Sequence, residues 1–165
     1  MHETYLTGLK NAHALETQAV QLLSRQVERL ENYPEMSAKI QQHIQESEAQ
    51  RDRLVTILER HGTSHSVLKD FVTGLTGNIA ALAHAPMQDE MVKNTFANFA
   101  FEHFEIASYR ALIALAKVAG AAEDVAALQL SLAEEEATAE WIGERIEQVM
   151  PTYAEREAAG ETAGV

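Results

Sequence analysis

Phe99-Ala-Phe-Glu102-His-Phe-Glu105-Ile106-Ala-Ser-Tyr109-Arg-Ala-Leu112-Ile113 is the stretch whose reading decides the fold. Phe99, Ile106 and Ile113 recur at heptad spacing and define one face of a helix. Glu102 shares the next position with Tyr109 and Ala116. Glu105 lies three residues after Glu102, one turn on, and in register with Leu112. A long helix therefore carries two carboxylates on or beside its apolar side.

The same interruption recurs in three other segments. Leu9, Leu23 and Leu30 fall on one heptad position with Glu16 between them; the adjacent stripe, Leu6, Val20 and Val27, has His13 in its gap. Leu128, Ile142 and Val149 share a position that Glu135 also occupies. Ile40, Leu54 and Ile57 mark an inner face with His43, Glu46 and Gln50 on or beside it. One Glu on such a stripe ordinarily sits at its edge with its head in water, and one core-facing His is ordinarily a hydrogen-bonded residue rather than a ligand. Carboxylates at matching depth on four helices are harder to reconcile with that. Buried together they repel, and burial penalises their charge. A pair of divalent metal ions reverses that sign. Oxygen ligands with one or two imidazoles suit iron or manganese, and suit two-metal sites with centres ~3.5–4 Å apart. The expected ligands are Glu16, Glu46, Glu105 and Glu135, completed by His43 and Glu102.

Working outward, strand alternation never lasts, and helical periodicity predicts four long helices, at about 4–31, 34–60, 88–119 and 122–149. Pro34 breaks the first from the second, Gly62 and Gly120 suit helix ends, and Pro151 is expected to stop the fourth. Short turns make the first two and the last two helices antiparallel hairpins. The link between the hairpins is long, from about 63 to 87. Within it a short helix is expected to carry Val67, Leu68, Phe71, Val72 and Leu75. Two hairpins joined by a long crossover is the ferritin-like variant of the four-helix bundle. The bundle is expected over 1–150 as one domain, with 151–165 as a flexible tail. The apolar residues of the crossover, with Ile79, Ala80 and Leu82, leave Phe71 and Leu82 toward its flank and predict a homodimer.

Composition narrows the function. The 165 residues carry a formal net charge of −12, which disfavours nucleic acid and anionic membrane surfaces and favours cations. There is no cysteine, so thiolate ligands, thiol nucleophiles and disulfides are excluded together. Met1-His2-Glu3-Thr4 lacks the basic start of a signal peptide, and no apolar run approaches the ~20 residues of a membrane span; a cytoplasmic location is the expectation. His2, His61, His65 and His84 read as surface residues, at least one of Glu134 and Glu136 as a solvated charge, and Trp141 as packing.

Four segments resemble a known family, the one from the third helix most specifically. His43-Ile-Gln-Glu46-Ser-Glu48-Ala-Gln50-Arg51-Asp-Arg-Leu54 is similar to the second helix of the YciE/YciF family of bacterial ferritin-like proteins, and Glu102-His103-Phe104-Glu105-Ile106-Ala107-Ser-Tyr109 to its third. Leu132-Ala-Glu134-Glu135-Glu136-Ala-Thr138 resembles its fourth, and Ala14-Leu15-Glu16-Thr-Gln-Ala19, more loosely, its first. The resemblance, over about 6–149, implies a ferritin-like bundle, a dinuclear metal site and a link to bacterial stress responses. It leaves the reaction undefined. The chain departs from the general di-iron pattern: its motifs read His-x-x-Glu, His13 to Glu16 and His43 to Glu46, where Glu-x-x-His is usual. Ala49 and Thr138 stand three residues after Glu46 and Glu135, where the imidazole would be. The site expected is carboxylate-rich and His-poor. Against the metal reading stands a structural or interaction bundle whose polar residues form a hydrogen-bonded layer that sets register. A third reading is an oxidase or peroxidase of the di-iron class, with Tyr109 as a redox or hydrogen-bonding neighbour.

Overall fold

The computed structural model describes residues 2–63 and 90–161. These form α1 (His2–Val27), α2 (Pro34–Arg60), α3 (Glu90–Ala119), a 3-10 turn (Ala122–Asp124) and α4 (Val125–Ala158). There is no strand among the described residues. The crossover helix and the dimer-forming residues expected between 66 and 82 fall outside them.

The helix boundaries follow local chemistry. Pro34 occupies the first turn of α2, where its missing N–H costs no hydrogen bond. Gly62 and Gly120 take φ of +79° and +78°, a region that L side chains rarely adopt. At each, the chain closes in the same way: Thr63 N–H donates to Leu58 O and Ala121 N–H to Ala116 O, both at 2.9 Å, satisfying carbonyls that the helix end would orphan.

One expectation fails here. Helix α4 does not stop before Pro151 but runs through it to Ala158, so the residues just past Val149 are helix rather than tail. Packing outweighs the missing proline donor: Val149, Met150 and Tyr153 all lie on the apolar cluster around Leu30, Tyr33 and Met36. Termination comes instead at Gly160, with φ of +70°.

Helix α1 packs against α2, and α3 against α4; α1 also packs on α3, and α2 on α4. Arg29, just past the end of α1, clamps Glu90 at the start of α3 through two hydrogen bonds of 2.9 and 2.8 Å, and Asn98 donates to Gln26 at 2.8 Å. Helices α1 and α3 are therefore antiparallel, which makes α2 and α3 parallel. A parallel pair cannot be joined by a hairpin turn. That is the ferritin-like connectivity.

The core is two apolar clusters with a polar layer between them. Tyr5, Leu9, Leu54, Ile57, Leu58, Tyr109, Leu112 and Leu128 belong to the first; Leu23, Leu30, Met36, Ile40, Met91 and Val149 belong to the second. In every helix the residues between the two sets include buried polar ones: Glu16, His43 with Ser47 and Gln50, Glu102 with Glu105, and Glu135.

One end of the bundle is knotted by Asp124, which is wholly buried. Tyr5 donates to it at 2.9 Å, His61 Nε2 lies at 2.7 Å, and Arg60 pairs with its other oxygen. His61, expected at the surface, is therefore mostly buried, its side chain 12% exposed. Its place at the end of α2 sets the ring against Tyr5 and the start of α4. Asp124→Ala would strand the buried Tyr5 hydroxyl and separate three chain ends. A loss of about 2–4 kcal/mol is expected, read as a lowered urea midpoint with helix content retained. An unchanged midpoint would mean that the knot does not hold the end together.

Candidate metal centre

His43, Glu102, Glu105 and Glu135 are all buried, and one ligand atom from each lies within 4.8 Å of the others. One comes from α2, two from α3 and one from α4. The heptad positions that interrupted the apolar stripes thus meet at one depth, as helical periodicity requires once the hairpins are antiparallel.

The imidazole is oriented from behind. His43 Nδ1 lies 3.3 Å from Glu46 Oε2 and 3.2 Å from Thr138 Oγ1. Its Nε2 points the other way, 3.2 Å from Glu102 Oε2 and 3.9 Å from Glu135 Oε2. A carboxylate on the far ring nitrogen is the usual means of fixing a ligating imidazole. Glu46 therefore stands apart from the group of four, with its side chain 22% exposed and Lys39 4.0 Å away. Glu16 is buried beside the group; its Oε1 accepts a 2.6 Å hydrogen bond from Tyr109. His13 is buried on α1 but outside the group.

What makes this layer a candidate cation site is unmet hydrogen bonding. Both carboxylate oxygens of Glu105, both of Glu135, and Glu16 Oε2 are buried with no hydrogen-bond partner, while His43 Nε2 and Glu102 Oε2, 3.2 Å apart, face each other. Buried polar atoms are normally paired, because each unpaired one forfeits its hydration. Here the orphaned atoms converge and are carboxyl oxygens. The donor set of several carboxylate oxygens and one imidazole nitrogen is the chemistry of a hard to borderline divalent cation.

The electrostatics agree. Burial pushes the Glu135 carboxyl up to about 9, with Glu102 adding to the rise. Burial and the carboxylates of Glu16, Glu135 and Glu102 hold Glu105 well above the usual range. Burial raises Glu16 to about 7, against the Tyr109 hydrogen bond, which favours its charged form. Burial alone would lower His43, but Glu102, Glu46 and Glu135 bring it up to about 10. Glu46 is held low by His43 in spite of its partial burial.

Several neighbours carried no periodic mark in the sequence. Arg53 grips Glu134 through two 2.7 Å hydrogen bonds and donates to Ser131 Oγ at 2.8 Å; Gln50 donates to Glu134 at 3.0 Å. Glu134 is thus tied down, whereas Glu136 is the exposed charge, paired with Arg110. Trp141 packs at the second apolar cluster and stacks under Arg145, 4.0 Å from its ring centre.

The pH dependence of the cation-free protein follows with a definite sign. Glu135 and Glu16 have folded values above the 4.5 of a free Glu, so from about 4.5 to about 9 the folded state holds more protons than the unfolded one. His43, raised from 6.5 to about 10, acts in the same direction over its own range. Stability must fall as pH rises through this window. Chelator-treated protein is expected to melt several degrees lower at pH 9 than at pH 5.5, and Glu135→Gln to flatten the slope. Calorimetry showing a flat or rising profile for the unsubstituted chain would contradict this electrostatic account.

The geometry has relatives. A crystal structure of a protein from Xanthomonas campestris pv. campestris is similar with a TM-score of 0.80 and 31% identity, covering 94% of this chain and 97% of that one. YcfI from Rhodopseudomonas palustris, for which a structural role has been suggested, shares the fold with a TM-score of 0.67 and 24% identity, over 87% of this chain and 92% of its own. The family model of the domain of unknown function DUF892 matches residues 1–155. With four helices in ferritin-like connectivity and this match over nearly its whole length, the chain belongs to the DUF892 family.

Proposed function

We propose that this protein is a ferritin-like metal-binding protein whose polar layer holds a dinuclear iron or manganese site. The observation that carries the reading is the set of buried, unpartnered carboxylate oxygens converging with His43 Nε2. His43, Glu102, Glu105 and Glu135 are the inner ligands, and Glu16 serves the second ion with its free Oε2. Glu46 orients His43 rather than binding directly. Bound iron or manganese would supply redox chemistry. The chain itself supplies a water-poor layer, four carboxylates whose repulsion a cation would relieve, and one oriented imidazole. We extend the reading, on the resemblance to the YciE/YciF proteins, to a role in bacterial stress response in the cytoplasm. Among the described residues no helix is long and apolar enough to cross a membrane.

A second reading draws on His43. With the imidazole protonated among the carboxylates and some of these carrying protons, the layer becomes a metal-free hydrogen-bonded spacer of a structural bundle. Elemental analysis of protein purified without added metal separates the two. Up to about two iron or manganese ions per chain are expected, and Glu105→Gln with Glu135→Gln should abolish them. Removal of the metal at neutral pH should also lower the melting temperature, because a ligand bound only to the folded state stabilises it. Equal metal content in the double variant would sink the site, and identical melting with and without metal would favour the spacer.

The assembly we propose is a homodimer. Phe96, Phe104 and Leu130, which are 49%, 58% and 52% exposed, support association with a second copy. Light scattering at micromolar concentration should give twice the chain mass; a monomer would refute it.

A further inference from the structure

We infer that Tyr109 is a positioning residue for the metal site, holding Glu16 so that only its Oε2 is offered to a cation. The inference rests on the metal reading above and assigns a role outside the ligand set.

The geometry is a short, buried hydrogen bond from Tyr109 to Glu16, with Ser131 and Arg53 behind it. Arg53, on α2, donates from Nη1 to Ser131 Oγ at 2.8 Å. Ser131, so fixed, lies beside the Tyr109 hydroxyl. The Tyr109 hydroxyl donates to Glu16 Oε1 at 2.6 Å. Arg53 is fixed in turn by its two bonds to Glu134. Ser131, Tyr109 and Glu16 are all buried, so water does not compete for these positions.

The result is an asymmetric carboxylate. Oε1 of Glu16 is occupied by a neutral donor, while Oε2 is buried with no partner. The oxygens of Glu105 and Glu135 have no such donor on either side. Glu16 can therefore bind a cation through one oxygen without swinging, whereas an unrestrained carboxylate could chelate through two or turn away. Tyr109 reaches the site from α3 and Glu16 from α1, so the contact also carries the register of these helices into the ligand geometry. Losing a hydrogen bond to a ligand typically costs 10–100-fold in metal affinity.

The test uses cobalt(II) alone as the probe, with calorimetric titration and visible absorption of the full chain. Tyr109→Phe is expected to bind cobalt about 10–100-fold more weakly than the unsubstituted protein, with a changed absorption spectrum and unchanged helix content. Because Tyr109 acts through Glu16, the Glu16→Gln variant and the Glu16→Gln/Tyr109→Phe pair should bind alike. Unchanged affinity in Tyr109→Phe overturns the inference, as does an equal further loss in the Glu16→Gln background, which would mark a general structural role. Should Glu16→Gln bind no cobalt, the spectrum decides: a Tyr109→Phe spectrum superimposable on the parent overturns the inference. If the parent chain binds no cobalt, the metal reading itself falls and takes the inference with it.

Discussion

Four carboxylates and one imidazole occupy a layer that water barely reaches, and the rest of the bundle is arranged around that electrostatic problem. Glu16, Glu102, Glu105 and Glu135 are each no more than 2% exposed. Like charges in such surroundings are destabilising unless protons or a cation neutralise them. The chain provides one positive group within the layer, His43, and keeps its arginines outside it, on Glu134, Glu136, Glu90 and Asp124. An arginine directed into the layer would have answered the repulsion permanently.

Around this layer the polar contacts sort by distance. Glu46 and Thr138 hold the back of the His43 ring. Tyr109 holds one side of Glu16, and Ser131 and Arg53 stand behind Tyr109. None of these groups adds net negative charge to the centre except Glu46, which is partly exposed and balanced by Lys39. They restrict rotation of the inner side chains, which otherwise have no hydrogen bonds to hold them. Rigid support of that kind is what keeps a coordinating group in place before a ligand arrives.

Much of this was legible in the sequence because helices project residues at a fixed period. Glu16 and Glu135 sit on heptad positions otherwise filled by Leu, Ile or Val, and Glu105 is in register with Leu112, so their burial could be read directly. The ends at Gly62 and Gly120 could be read too, since glycine takes the backbone conformation that such ends need. What could not be read depends on side-chain direction or on partners remote in sequence. Glu46 lies one turn from His43, and spacing alone could not tell a carboxylate entering the layer from one holding the ring from behind. Asp124 looks like an ordinary acidic residue at a helix start; only the meeting of Tyr5, Arg60 and His61 makes it a buried anchor. Pro151 misled because its local preference is weaker than the packing of Val149, Met150 and Tyr153.

The division of the core bears on how the molecule loses its structure. The two apolar clusters have no buried residue in common, so a truncation in one should leave the packing energy of the other nearly untouched. Helices run unbroken through the layer, but neither apolar cluster does. With its charges unbalanced, the layer is a seam at which one half can open while the other stays closed, and amide exchange would differ between the halves. With its charges balanced, the seam becomes a bond shared by all four helices. The halves then open together, and the bundle behaves as a single cooperative unit.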